Sequence, residues 1–312
     1  MNVINKIKLL IFLLFIILIF SLLNPNYFSL NNLFGILISI SVTGLVCLGQ
    51  GLCIITGGFD FSVNGVALMS GVVAAYLISK FDINVWIALL IVLVLGTFIG
   101  FLNALIITKG NINPLIITLS MGSILTGLSF FMTHGSYINV KGEIFRILGT
   151  YRLFNVKVFQ VPVVILAAMV LILLIILTQT SYGRFIYAVG GNKTAAGFSG
   201  IKVNLISGSA YLWSGFLSAL AGYITASRIG SAQPGIGSTL ALFSVTAVIL
   251  GGVSFKGGRG SILGAVIGIT IIQCLNIGLR GLGLPIYYQE LSIGLVLILA
   301  VYLDSLSSRR NS

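Results

Sequence analysis

Long stretches without charge are the feature that most constrains the fold of this chain. Between Leu9 and Ser79 the only charged residue is Asp60. Further uncharged runs cover residues 83–108, 158–183, 203–227, 229–255 and 260–279. A helix needs about 20 apolar residues to cross roughly 30 Å of hydrocarbon, so each run can hold a membrane span. The sequence therefore predicts a protein that folds inside a lipid bilayer.

The composition supports the same conclusion. Hydrophobic residues make up 58% of the 312 residues and charged residues 7%, whereas soluble domains carry about 25% charged residues. Helices are expected rather than barrel strands, because the runs are long and uniformly apolar. We predict an all-α polytopic membrane protein of about ten transmembrane helices, forming one domain over residues 1–312. The predicted spans are 8–23, 33–56, 62–79, 84–108, 114–133, 160–179, 205–227, 239–254, 261–280 and 286–303.

The distribution of basic residues predicts the orientation in the membrane. With the amino terminus inside and these spans, ten of the 17 lysine and arginine residues are cytoplasmic and seven are external. This excess favours a cytoplasmic position for both termini and for the segment 180–204. The formal net charge of +12 then indicates contact with anionic membrane lipid, and no nucleic acid is expected as a partner.

Residues 187–204, YAVGGNKTAAGFSGIKVN, form a small, polar and glycine-rich segment between two apolar spans. Asn192 can cap a short helix, the residues from Thr194 to Ala196 favour its first turn, and Gly200 can end it. Small side chains let a partner approach the backbone closely. A docking segment and a solvated connector both agree with this composition.

Motifs for catalysis, nucleotides and metals are scarce. Only Asp60 and Glu290 place a carboxylate within the membrane, and we interpret Asp60 as a helix-capping residue rather than a proton relay. The segment GVSFKGGR at 252–259 has Gly258 where a phosphate-binding loop needs lysine. The three cysteines lie in spans without metal-ligand spacing, and His134 has no companion ligand. We therefore expect no catalytic residue, metal or cofactor on this chain, and any ATP would be bound by another subunit.

Several segments occur in a fixed order along nearly the whole chain. They are GGFDFSVNGVALMSG at 57–71, LNALII at 102–107, NPLIITLSMG at 113–122, GRFIYAVGGNKTAAGFSGIKVN at 183–204, SAQPGIG at 231–237 and AVILGGVSFKGGRGSILGAVIG at 247–268. As an ordered set they resemble the permease subunits of bacterial ABC importers for monosaccharides, the group of the ribose, xylose, arabinose, galactofuranose and furanosyl autoinducer systems. The resemblance implies the ABC importer permease fold in the bacterial inner membrane. It also implies a cytoplasmic ABC ATPase, a second permease and an extracytoplasmic sugar-binding protein as partners.

The resemblance gives the segment 180–204 a role as a cytoplasmic coupling loop. In such importers the corresponding loop carries a short helix that rests on the ATP-hydrolysing subunit and tilts the attached spans. The residues assigned to this contact are Gly191, Asn192, Thr194, Ala195, Ala196, Ser199 and Gly200.

A sugar carries hydroxyl groups, so its path should offer uncharged hydrogen-bonding side chains rather than ion pairs. The candidates within or beside the spans are Gln50, Asn64, Asn103, Thr118, Gln273, Asn276 and Gln289. Each can instead bridge two helices, a use worth about 0.6 kcal/mol on average. Small residues such as Ser218, Ala219 and Gly222 are predicted to let helices pack closely.

Other questions stay open at this point. Ala241 and Phe243 occupy positions where many relatives carry an acidic pair, so the second permease can be the same chain or a different one. The external loop 134–159 carries four basic residues that can steer an acidic partner or simply face solvent. The turns ITGGFDFS at 55–62 and ILGGVSFK at 249–256 resemble each other, as an internal duplication would explain.

The alternative function is a secondary transporter or facilitator without an ATPase, and an intramembrane enzyme ranks last.

Overall fold

The computed structural model describes residues 3–153, 160–235 and 239–310, with side chains described between Leu9 and Tyr302 outside these gaps. The described chain is mainly helical, and its two short strands pair antiparallel, with Ile138 opposite Ala232. The helices are α1 (Val3–Leu23), α2 (Leu30–Ile55), α3 (Val63–Phe81), α4 (Val85–Gly110), α5 (Pro114–Thr133), α6 (Glu143–Thr150), α7 (Val161–Gln179), α8 (Ser181–Gly191), α9 (Lys193–Phe198), α10 (Val203–Ile229), α11 (Leu240–Leu250), α12 (Ile262–Gly281) and α13 (Ile286–Arg310), and the strands are β1 (Ile138–Asn139) and β2 (Ser231–Ala232).

A helix occupies the position of each predicted span, with most ends within a few residues of the prediction. By length and composition, six helices of the described chain can cross a membrane, namely α2, α3, α4, α5, α7 and α12. Shorter apolar helices lie in α1, α11 and α13, at Leu9–Leu23, Leu240–Leu250 and Ile286–Tyr302. The helical, polytopic class is confirmed, whereas the number of about ten spans stays a prediction.

The helix ends are defined by capping residues. Asn84 and Asn113 each accept a hydrogen bond from a backbone N–H in the first turn of α4 and α5, at 2.9 Å. Asp82, Asn111 and His134 end α3, α4 and α5 in the left-handed conformation, with φ values of 51°, 50° and 48°. Such residues are tolerated there because their short polar side chains can hydrogen-bond locally. His134 therefore acts as a helix terminator.

The packing separates central from peripheral helices. In the apolar stretch of α2, 83% is buried inside the chain, whereas 22% is buried in the corresponding stretches of α5 and α7. The central helix α10 packs against α2, α3 and α4 through its small residues. Gly215 and Gly96 face each other, and a Cβ on Gly222 would overlap the carbonyl oxygen of Ala67. The close packing predicted for Ser218, Ala219 and Gly222 agrees with this arrangement, since all three are buried.

The loop that was predicted to be external contains more order, in its described residues 134–153, than the sequence indicated. It holds β1 and the amphipathic helix α6, which packs on α10 through Phe145, whose ring centroid lies 5.5 Å from that of Tyr223. The Arg146 guanidinium donates to the carbonyl oxygen of Ile229 at 3.3 Å. The prediction of a loop was wrong here because an eight-residue helix is too short to give a clear periodic pattern. Lys157 lies outside the described residues.

Candidate functional site

The segment 180–204 folds into the two short helices α8 and α9. The Thr180 hydroxyl accepts the Gly183 N–H at 3.2 Å and caps α8. Asn192 then adopts an extended conformation, and its side-chain oxygen accepts the Ala195 N–H at 3.0 Å. Gly200 follows α9 with φ +80°, the left-handed conformation that glycine favours. The predicted cap at Asn192 and stop at Gly200 are confirmed.

Two glycine-rich turns, after α2 and after α11, meet the end of α8. The Gly258 N–H donates to the Ile55 carbonyl oxygen at 2.8 Å, which joins the turn after α11 to the end of α2. Gly190 packs directly on both, since a Cβ there would overlap the Ile55 oxygen and lie 2.6 Å from the Gly258 nitrogen. The Tyr187 hydroxyl adds a hydrogen bond to the Gly260 carbonyl oxygen at 3.1 Å. We call this contact of residues 55–62, 187–191 and 251–261 the turn junction.

The two turns with similar sequences are neighbours in this junction. The rings of Phe59 in ITGGFDFS and Phe255 in ILGGVSFK are in contact, tilted by 45° with centroids 4.8 Å apart. A Cβ on Gly257 would lie 3.0 Å from the Cα of Gly57. The fold thus brings the two similar turns and α8 into direct contact.

Most of α9 faces away from the rest of the chain. Of the residues assigned to partner contact, six are exposed: Gly191, Asn192, Thr194, Ala195, Ser199 and Gly200. Ala196 is 5% exposed and faces the chain's own interior, so it supports α9 from behind. Phe198, which the sequence analysis did not single out, is 90% exposed. It is the one large apolar side chain in α9. A large apolar residue among small neighbours is the sequence feature that could have indicated a contact position.

Asp60 is buried in the turn between α2 and α3. One carboxylate oxygen accepts hydrogen bonds from the backbone N–H and the hydroxyl of Ser62, immediately before α3. The Ser62 hydroxyl in turn accepts the Asn103 amide N–H at 2.9 Å. The N-cap of α3 is Ser62, so Asp60 holds the capping residue rather than capping the helix itself, and its second carboxylate oxygen has no partner among the described residues. Glu290, by contrast, is exposed, and Arg280 contacts Gln289 at 3.4 Å.

Most candidate path residues hold parts of the fold together. Asn64 accepts the Ala241 N–H at 2.7 Å, and the Gln273 amide donates to Thr43 at 2.9 Å. Asn103 contacts Ser62, Gln289 contacts Arg280, and Thr118 donates to the Pro114 carbonyl oxygen in its own helix. Asn64, Asn103 and Thr118 lie around residues 59–64 at the start of α3, whereas Gln273 and Gln289 belong to α12 and α13.

Gln50 and Asn276 differ from the other candidates. Both are buried, at 0% and 2% exposure, and neither side-chain amide has a hydrogen-bond partner among the described residues. A buried polar group without a partner costs about 1–3 kcal/mol. Both amide atoms of these two residues can bond a solute or a water, and the Asn103 side-chain oxygen also has no partner among the described residues. No group of three or more His, Cys, Asp or Glu residues comes together in the described part of the chain.

Comparisons with known proteins identify the family of the chain. The chain matches, over residues 32–301, the family described as branched-chain amino acid transport system / permease component. It is 39% identical over 302 residues to the ribose import permease protein of Escherichia coli K12, covering 96% of this chain and 93% of that protein. It is 38% identical to the ribose import permease protein of Bacillus subtilis 168, covering 94% and 90% of the two chains.

A third relative is named for another sugar. The D-allose transport system permease protein of Escherichia coli K12 is 35% identical over 296 residues, covering 94% of this chain and 90% of that protein. No solved structure matches the chain. The family match covers well over half of the sequence, and the relatives align over nearly their whole length. The chain therefore belongs to the branched-chain amino acid transport system / permease component family and is a transport component rather than an enzyme.

Proposed function

We propose that this chain is the membrane permease subunit of an ATP-driven importer for a monosaccharide or a related small sugar-like solute. The observation that carries the proposal is α9, an exposed short helix whose base is joined to α2 and to the turn after α11 through the turn junction. The relatives named for ribose and allose supply the solute class. About ten spans and cytoplasmic termini complete the arrangement, with α9 on the cytoplasmic side.

The geometry suggests how force on α9 would reach the membrane. A cytoplasmic ABC ATPase that binds ATP would press on the exposed face of α9, where Phe198 and the small residues around it lie. Because Gly190 is in direct contact with Ile55 and Gly258, α8 cannot shift without moving the end of α2 and the turn that leads into α12. Rigid movement of these helices would exchange outward and inward access to a path between them.

The remaining partners belong to the same proposal. A second permease, either a copy of this chain or a different one, would complete the solute path. An extracytoplasmic sugar-binding protein would deliver the solute to the outer face, where α6 and the adjacent segment carry Lys141, Arg146 and Arg152. A basic surface of this kind attracts an acidic partner and raises the rate of encounter.

The ATP-driven function is favoured over a facilitator that couples transport to ions. A coupling carboxylate should face the solute path, yet one oxygen of Asp60 is held by Ser62 at the start of α3 and Glu290 is exposed.

The test is ATP-dependent uptake of D-ribose, D-allose, D-fructose and L-arabinose by proteoliposomes that contain the permease and its ATPase, with the binding protein supplied. We expect uptake of at least one sugar, and Phe198→Ala should lower both uptake and co-purification of the ATPase. Phe131→Ala is the matched control, since Phe131 is 74% exposed in α5, away from α9. Sugar uptake that continues without ATP or the ATPase would contradict the proposal.

A further inference from the structure

The turn between α11 and α12, residues 252–259, forms a closed loop that we call the α11–α12 turn. The Ser254 N–H donates to the Arg259 carbonyl oxygen at 2.9 Å, and the Gly257 N–H donates to the Ser254 carbonyl oxygen at 3.0 Å. Gly257 and Gly258 have φ values of +83° and +70°, in the left-handed region that glycine favours. The backbone of this turn is therefore fixed by its own hydrogen bonds and glycines.

The α11–α12 turn presents an aromatic ring and two cations at its surface. Phe255 is 45% exposed, although its ring also contacts that of Phe59. Lys256 and Arg259 are exposed on either side of the paired glycines. Val253, at the base of the turn, is 1% exposed and anchors it to the bundle. Aromatic and arginine side chains are enriched where proteins contact each other, so the turn has the composition of a contact surface.

The α11–α12 turn lies beside the base of α9. A Cβ on Gly258 would lie 2.6 Å from the Cα of Gly191, the last residue of α8. The Gly258 N–H also donates to the Ile55 carbonyl oxygen at the end of α2, the most buried of the six long apolar helices. The end of a buried helix lies away from the lipid-facing perimeter of the bundle. The turn and α9 are therefore adjoining parts of one surface.

The charges on this surface are positive. Four exposed cations flank α9 or belong to the turn, namely Lys193, Lys202, Lys256 and Arg259. Asp60, the one acidic side chain that the structure describes on the predicted cytoplasmic side, is 1% exposed. Basic residues also set the orientation of a membrane protein, but orientation requires neither a closed turn nor an exposed aromatic ring. Charge complementarity matches this surface to a partner that carries carboxylates.

We propose that the α11–α12 turn is a second contact for the ABC ATPase beside α9, and that the ATPase receives Phe255 in an apolar pocket rimmed by carboxylates. The inference rests on the proposed function for the identity of the partner and for the cytoplasmic position of the turn. Two separate contacts fix the orientation of the ATPase, which α9 alone leaves free to rotate. The turn leads into α12 as α9 leads into α10, so the ATPase moves both helices together.

The test measures binding of the purified ATPase to the permease, with its second subunit, in phosphatidylcholine nanodiscs. Phe255→Ala should raise the Kd about tenfold, as loss of one buried aromatic contact predicts. The double variant Lys256→Gln, Arg259→Gln should lower the association rate constant about tenfold at low salt and weaken its dependence on salt. Charges at the rim of an interface act in this way, because they mainly change the rate of encounter.

Two matched controls and a direct readout accompany these variants. Lys109→Gln removes an exposed cation at the end of α4, on the same predicted side but outside the turn and α9. Phe101→Ala removes a ring that is 46% exposed within α4. Both should bind the ATPase as the wild type does. Lys256→Cys should react with a membrane-impermeant maleimide in the free permease and be protected by the ATPase, against a background of buried cysteines.

The outcomes separate this inference from the proposed function. Normal ATPase binding by the Phe255 and Lys256/Arg259 variants, with ATP-dependent uptake intact, overturns the second contact and leaves the transport function standing. Protection of Lys256→Cys by phosphatidylglycerol in the nanodisc and not by the ATPase also overturns it, because the turn would then contact lipid. An equal loss in Lys109→Gln overturns it as well, since the overall charge would then act. A permease that binds no ATPase contradicts the proposed function itself.

Discussion

Glycine-rich packing in α4 and α10 contrasts with glycine-rich sequence in and around α9. At the first place, Gly96 and Gly215 bring two backbones into contact, and no side chain fits between them. At the second, a Cβ on Gly191 or Gly200 would meet nothing within 4 Å. Similar composition therefore serves two purposes. In the bundle, small residues make a close helix pair, whereas around α9 they leave the backbone exposed, as the proposed contact with the ATPase requires.

The largest expected effect is on the packed glycines. Gly222→Val should remove most of the folded protein, because the added side chain overlaps the Ala67 carbonyl oxygen and overpacking costs about 1–3 kcal/mol or more. The monodisperse fraction in detergent and the unfolding temperature measure this loss. Gly127→Val is the control, since a Cβ on Gly127 of α5 meets nothing within 4 Å. Equal behaviour of the two variants would refute the packing assigned to α10.

Two adjacent glycines at the turn junction give the next largest difference. Gly190→Ala should lower ATP-dependent uptake strongly, because its methyl group would force α8 away from Ile55 and Gly258. Gly191→Ala should stay close to the wild type in stability, since the space around that residue is open. Uptake and the unfolding temperature are measured for both. If Gly190→Ala transports normally, α8 does not transmit movement through this junction.

A smaller effect is expected where α9 ends. Gly200 has φ +80°, so Gly200→Ala places a side chain in a left-handed conformation at a cost of about 1–2 kcal/mol. We expect uptake to fall a few-fold while the stability of the spans is unchanged. Gly197→Ala, within α9 and 3.9 Å from the nearest Val203 atom, is the control and should not reduce uptake. Comparable losses in both variants would mean that the helix end is not the sensitive feature.

The smallest effect is predicted for the buried carboxylate. Asp60→Asn should change ATP-dependent uptake less than about twofold, because the asparagine side-chain oxygen can accept the same two hydrogen bonds from Ser62. Ser62 would still find an acceptor for its N–H. Uptake measured across a pH series provides the comparison with the wild type. Complete loss of uptake, or loss of its pH dependence alone, would instead indicate a proton-coupling role.

Local features of the fold were predictable from the sequence, because short-range chemistry determines them. The cap at Asn192, the stop at Gly200 and the position of the long apolar helices follow from residues that are neighbours in the chain. The similarity of the turns at 55–62 and 249–256 was visible, but their contact was not. That contact depends on how α2, α8 and α11 pack, and a single sequence carries no such information.

The roles of the polar residues were equally hard to predict from a single sequence. Asn64, Gln273 and Gln50 are equally good candidates for path residues when only the sequence is considered. In the structure, Asn64 and Gln273 form hydrogen bonds with other helices, whereas the Gln50 amide has no partner among the described residues. Only the geometry of neighbouring helices distinguishes them. Phe198 was overlooked because an aromatic residue in a membrane protein is more often buried or lipid-facing than exposed on a short loop helix.

The most direct test of α9 as the inward-facing contact with the ATPase is accessibility at Thr194, which is exposed in the free chain. Thr194→Cys can be labelled against a low background, because Cys47, Cys53 and Cys274 are all buried. We expect a membrane-impermeant maleimide to react only from the cytoplasmic side, and assembly with the ATPase to block the reaction. Labelling from outside the cell, or labelling that the ATPase does not reduce, would contradict the account.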